Sequence, residues 1–327
     1  MNKKRLLFSA AMILLLGMII GACGEKKTGD KKENDGKIKL LSIATGGTGG
    51  TYYPLGRDIA NMIQDATGIE SKAITSNGSI ENMKLIKKEK VEIAFTQTDI
   101  ATYASEGTMM FNNKKVGNMS GLGILYPESI QLVTLEKSGI KSVEDLKGKT
   151  VSIGEAESGT RANAEQILEI YGLKADDLKS RYLSFDDSAT GIQDGTIDAA
   201  FITAGTPTGA VEGLAATEKL LIVPIDADKI DALIAKYPYY IKETIPTGTY
   251  GSDHDIETVA VPAMLVVRSE LTDKLVYDMT KAIFENTNKI VHAKGKSIKA
   301  ENALNGMGTD LHPGAKKYFD EKGVSSK

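Results

Sequence analysis

The chain has 327 residues, 41% of them hydrophobic and 25% charged, with a formal net charge of −3 at pH 7. That is enough chain for two lobes with cores of their own, and the near-neutral balance excludes an overall basic field that would gather nucleic acid. A single cysteine, Cys23, excludes an intrachain disulfide framework and a zinc site built on several thiolates.

Lys3, Lys4 and Arg5 precede an apolar run from Leu6 to Ile20, and Gly21, Ala22 and Cys23 close it. A basic head, a short apolar core and small residues at its end read as a secretory signal peptide over residues 1–22. The run is too short to span a bilayer comfortably. Ile20-Gly21-Ala22-Cys23 resembles the bacterial lipobox, which implies that Cys23 becomes the lipidated first residue of the mature protein. Residues 23–37 then supply the anchor and a tether, "GEKKTGDKKENDGK", that has nothing to bury. The expected location is the outer face of the cell membrane, held there by lipid.

From residue 38 onward one pattern recurs: an apolar run, a small-residue loop, then a segment with helical period. "IKLLSIA" leads into "TGGTGGTYYP" and a helix on which Leu55, Ile59, Met62 and Ile63 share a face. "SKAI" leads into "TSNGS", "VEIAF" into "TQTD", "TVSIG" into "EAESGT", and "AAFI" into "TAGTPTG". Strands alternating with helices predict an α/β fold whose sheets are mainly parallel and flanked by helices.

Ligands of such sheets sit just beyond the carboxyl ends of the strands, where these five loops lie. The loops are rich in Gly, Ser, Thr, Asn and Gln and nearly free of charge. Glycines let a backbone approach a ligand closely, and each helix start offers unpaired N–H groups to an anion. Thr45, Thr48 and Thr51 add hydroxyls, and Tyr52 and Tyr53 can wall a pocket.

Nucleotide motifs fail here. The first loop lacks the Gly-Lys-Ser/Thr ending of a P-loop, and Gly47 and Gly49 would place the third glycine of a dinucleotide fingerprint at Tyr52. His254, His292 and His312 form no metal-binding pair, and no G-x-S-x-G elbow occurs. Ser138 and Lys141 match S-x-x-K within what reads as a surface turn, and "SDHD" at 252–255 reads as a solvated loop. No catalytic residue, metal or cofactor is expected.

The stretch "SIQLVTLEKSGIKSVEDLKGKTVSIG" reads as strand, turn, short helix and strand. This is how two-lobed binding proteins of the type II periplasmic kind cross into their second lobe. "TVAVPAMLVVRSE", residues 258–270, would carry the chain back, and the closing helices would pack on the first lobe. The expected division is lobe I from 38–130 plus 263–327 and lobe II from 131–262.

Together "IATGGTGGTYYPLG", "TSNGSIENMKLI", "VEIAFTQTD", "LYPESIQLVTLEKSGIKSVEDLKGKTVSIGEAESGTRANAE", "DGTIDAAFITAGTPTGAV", "TVAVPAMLVVRS" and "LHPGAKKYF" resemble the solute receptors of TRAP transporters, in the TAXI branch. One position departs from that pattern: Asn77 stands where a second glycine is commoner.

The resemblance implies an extracytoplasmic receptor that captures a small organic anion, glutamate, glutamine or a related five-carbon acid. It would deliver this to TRAP membrane permease subunits driven by an ion gradient. It also implies ligand contacts from Gly46, Thr48, Gly49, Gly50, Tyr52, Ser76, Ser79 and Gln97 in the first lobe. From the second lobe it implies Ser158, Gly159, Thr160, Arg161, Ala204 and Gly205. A lipid-anchored enzyme on the same fold and a surface interaction protein are the alternatives. Product formation would mark the first, and an exposed aromatic patch the second.

Overall fold

The strand that opens the folded part, LLSIA, buries four of its five residues, which needs cover on both faces. The same holds for IAFTQ and AAFITA, in which every residue is buried. The computed structural model describes residues 38–325, so the signal peptide, Cys23 and the tether lie outside the described residues.

In chain order lobe I begins with β1 (Leu40–Ala44), α1 (Tyr52–Thr67), β2 (Glu70–Ile74), α2 (Ser79–Lys87), β3 (Ile93–Gln97) and α3 (Thr98–Glu106). The long β4 (Met119–Leu135) leads into lobe II. There follow β5 (Thr150–Ser152), α4 (Gly159–Ile170), β6 (Lys179–Arg181), α5 (Phe185–Gln193), β7 (Ala199–Ala204) and α6 (Gly209–Ala215). β8 (Leu220–Val223), α7 (Ala227–Lys236) and β9 (Ile241–Ile245) come next. β10 (Ile256–Arg268) returns the chain, and α8 (Asp273–Glu285) and α9 (Pro313–Glu321) close it.

All five expected strand–loop–helix units are present, at β1–α1, β2–α2, β3–α3, β5–α4 and β7–α6. The strands are ordered β2-β1-β3-β10-β4-β7-β5-β6. β2-β1-β3 is a parallel set in one lobe and β7-β5-β6 a parallel set in the other. β4 and β10 run antiparallel to each other and to the sets they join, and they cross between the lobes with Pro127 opposite Pro262. The fold is therefore two-lobed α/β, each lobe a parallel set flanked by helices, with two long strands shared between them.

Each lobe has a core on either side of its sheet. Leu55, Ile59 and Ile63 of α1 face Phe95 and Leu265, and α8 and α9 add Met279, Ile283, Tyr318 and Phe319. In lobe II, Ile167 and Leu168 of α4 meet Val151, Phe201 and Val259. Both cores are apolar and closed, so the polar loops at the strand ends are what remain to face each other. Among the described residues no helix is long and apolar enough to cross a membrane.

Candidate solute-binding cleft

Five helices of eight residues or more start at one place. The N-termini of α1, α2 and α3 in lobe I and of α4 and α5 in lobe II surround a cavity between the lobes. Its free space is about 50 Å3, a narrow cavity with the lobes this close together. Backbone N–H groups of a helix's first turn have no intrahelical partner and carry partial positive charge, so the cavity gathers donors for an anionic group.

Each loop is held by its own bonds. Thr45 Oγ1 donates to the Ile74 carbonyl at 2.6 Å, which ties the first loop to β2 and takes this hydroxyl out of the site. Gly78 caps α2 with φ at +103°, a backbone conformation that side-chain-bearing residues rarely adopt. Ser158 caps α4 by accepting from Arg161 N at 3.1 Å and donating to the Glu155 carbonyl at 2.7 Å.

Of the residues expected at the site, Gly46, Gly50, Tyr52, Ser79, Gln97, Ser158, Gly159, Thr160 and Ala204 line this cavity together. Thr48 and Ser76 line an adjoining open groove. Gly49, Arg161 and Gly205 line neither. Gly49 is pressed against Asp186, so that a Cβ there would run into the carboxylate, and its carbonyl accepts from Ala210 N at 3.0 Å. Gly205 accepts from Thr51 Oγ1 at 3.2 Å. These two glycines allow one lobe to approach the other closely.

Arg161 also stands apart from the cavity. Its Nε donates to Glu165 Oε1 at 2.8 Å, its guanidinium to the Ala156 carbonyl at 3.0 Å, and it lies over the ring of Tyr182. The physical reason is helical spacing: Glu165 lies one turn further on, on the same face of α4. Ser138 and Lys141 sit at a turn, with Ser138 Oγ accepting from Ile140 N. In the "SDHD" loop His254 pairs with its exposed neighbour Asp253. Among the described residues no group of three or more His, Cys, Asp or Glu could hold a metal ion.

The expected set omitted several lining residues: Gly47, Thr51, Asn77, Gly78, Glu128, Glu155, Phe185 and Thr203. Glu128 matters most. It is 2% exposed, accepts from Tyr52 Oη at 2.9 Å and has Tyr126 Oη at 3.5 Å. Burial pushes its carboxyl up to about 8; hydrogen bonds from Tyr52 and Gln97 pull against this, and the Asp99 charge adds to it. A signal was present in the sequence, since Glu128 is the one charged residue in the β4 run MSGLGILYPESIQLVTL. Phe185 had none, because it arrives from the start of α5, outside the five polar loops.

Behind the cavity lies a buried polar chain. Gln97 Nε2 donates to Asn163 Oδ1 at 3.0 Å, and Asn163 Nδ2 donates to Asp99 Oδ2 at 3.1 Å and Tyr240 Oη at 2.9 Å. Burial raises Asp99 to about 7, against the bonds it accepts from Ile100 N and Asn163. Further bonds cross between the lobes: Thr48 Oγ1 to Asp186 Oδ2 at 2.9 Å, and Lys84 to Glu157 at 2.6 Å.

A two-lobed α/β frame, two shared long strands and a polar cavity at helix starts define the type II periplasmic-binding-protein fold. The chain belongs to the NMT1-like family, whose model matches residues 43–323. A protein of Bordetella bronchiseptica RB50 superposes with a TM-score of 0.55 at 16% identity, over 80% of this chain and 76% of that one. PhnD1 of Prochlorococcus marinus, solved with methylphosphonate, superposes with a TM-score of 0.51 at 13% identity, over 80% of this chain and 88% of that one. At these identities the likeness is one of fold.

Proposed function

We propose that this protein is an extracytoplasmic solute receptor of a TRAP-type secondary transporter, of the TAXI branch, that captures a small carboxylic acid between its lobes. One observation carries the reading: five helix N-termini from both lobes converge on one cavity lined mainly by small and polar loop residues. Such a site stabilises a carboxylate through fixed N–H dipoles, and it changes shape when the lobes part. The ordered motifs from the TGGTGG loop to the LHPG segment support the TAXI branch and, with it, glutamate, glutamine or a related five-carbon acid.

The lobe limits 38–130 plus 263–327 and 131–262, the lipid anchor at Cys23 and delivery to membrane permease subunits belong to the same proposal. The contacts proposed for the ligand are the nine expected residues that share the cavity; Thr48 and Ser76 lie in the adjoining groove, and Gly49, Gly205 and Arg161 stand outside both.

A ligand that binds only the folded state stabilises it by about 2.7 kcal/mol at a hundredfold excess over Kd. Five-carbon acids should therefore raise the melting temperature clearly, with sugars and nucleotides inert. A shift with a sugar or ATP and none with any acid overturns the ligand class. Uptake in cells separates the transporter type: collapse by an ionophore supports a gradient-driven permease, and persistence with the gradient gone contradicts it.

A further inference from the structure

The inner wall of the cavity is rich in acceptors. Glu128 offers a carboxyl group, and its donors, Tyr52 at 2.9 Å, Tyr126 at 3.5 Å and Gln97, do not close off all its lone pairs. Gln97, 2% exposed, presents Oε1 at the wall against Gly159, and this oxygen has no hydrogen-bond partner. The amide cannot be turned to mend this. Its Nε2 is committed to Asn163 Oδ1, and Asn163 is fixed in turn because its Nδ2 serves Asp99 and Tyr240. Thr203 Oγ1, 5% exposed and also without a partner, completes the wall.

Charge points the same way. The lining holds two carboxylates, Glu128 and Glu155, and no Lys, Arg or His among the described residues. Arg161 is taken up by Glu165 and the Ala156 carbonyl. A ligand made only of oxygen acceptors would bury them against Glu128 and Gln97 Oε1, leaving polar groups on both sides unpaired. A ligand carrying a protonated nitrogen satisfies both, and the helix starts of α1, α2 and α4 take its carboxylate.

We propose that Glu128 and the carbonyl oxygen of Gln97 form an ammonium-binding corner of the cleft, so that the ligand is an α-amino acid and not the oxo or deaminated acid of the same skeleton. This rests on the reading of the cavity as a site for small carboxylic acids, and it deepens it. Glu128 is then a specificity-determining residue, with Asp99 and Asn163 positioning residues that act through Gln97.

The test is titration calorimetry on the purified full chain with L-glutamate, L-glutamine, 2-oxoglutarate and glutarate, and with a panel of other α-amino acids beside their 2-oxo acids. We expect an amino acid to bind at least tenfold tighter than its oxo and deaminated counterparts. Glu128→Gln should weaken the amino acid at least thirtyfold while leaving the weak oxo-acid binding within threefold.

Equal or tighter binding of the oxo acid, or a Glu128→Gln variant that keeps amino-acid affinity within threefold, overturns the assignment. If an amino acid of another skeleton binds and no five-carbon acid does, the five-carbon reading fails and the ammonium corner stands. If nothing with a protonated nitrogen binds, the corner is overturned. Should Glu128→Gln fail to fold, the ligand comparison on the unaltered chain decides by itself.

Discussion

Tyr52 donates its hydroxyl to Glu128 Oε2 at 2.9 Å, which joins the first residue of α1 to the strand that crosses between the lobes. The bond holds a carboxyl group on the inner wall of a cavity that the helix starts make favourable for anions. A chain that wanted only a general anion trap would have no use for it. The burial that raises Glu128 raises the Tyr52 phenol as well, with the Glu128 charge as its second cause.

That carboxyl makes stability depend on pH. An acid whose pKa is higher in the folded than in the unfolded state holds more protons when folded. Its contribution is full below the unfolded value of 4.5 and is lost as pH rises through about 8. The ligand-free protein should therefore melt lower as pH climbs through this window, and Glu128→Gln should flatten the slope, leaving the part due to Asp99. A slope unchanged in the variant assigns it to other groups.

Amino-acid affinity should run the opposite way over the same window, since an ammonium needs the ionised carboxylate. The charged and titratable groups acting around Glu128 are Tyr52, Tyr126 and Asp99, with Glu155 on the same cavity wall and Lys294 beyond Gly205. Calorimetry at several pH values in the Glu128→Gln background isolates its share. Affinity that falls as pH rises below the ligand's own amine pKa contradicts an ionised Glu128 in the complex.

Two glycines should prove sensitive for a reason that lies across the cleft. A Cβ on Gly49 would run into Asp186, and one on Gly159 into Gln97 Oε1, whereas one on Gly213 meets nothing within 4 Å. Gly49→Ala and Gly159→Ala should each weaken the tightest acid by about tenfold or more, roughly 1.4 kcal/mol, with Gly213→Ala close to the parent. Equal affinities for all three would mean that the lobes need not approach this closely to hold the ligand.

Arg161→Ala should leave ligand affinity within about threefold. Its guanidinium is spent on Glu165 and Ala156, and an exposed pair of this spacing is worth about 0.3–0.5 kcal/mol. A loss beyond about thirtyfold by calorimetry would show that Arg161 leaves Glu165 for the ligand.

Cys23→Ala should abolish lipid attachment and release much of the protein from the membrane fraction. Intact mass and fractionation check this together. An unchanged mass and unchanged membrane association remove the lipoprotein reading.

The alternation of strand and helix was legible in the amino-acid sequence because it is local. Strands such as AAFITA announce cover on both faces, and α1 shows its buried stripe through Leu55, Ile59 and Ile63. The loops that meet at the cleft were legible for the same reason, since a parallel strand must end where its helix begins. What only the tertiary structure decided is which atom faces which across the lobes. Gly49 meets Asp186 and Gly159 meets Gln97 over separations that no periodicity encodes. Arg161 stands one turn before Glu165 on α4, and that spacing pairs the two within the helix. Glu128 gained its role from position: the antiparallel pairing of β4 with β10, Pro127 opposite Pro262, brings the next residue under the start of α1, where burial and the Tyr52 hydroxyl act on it together.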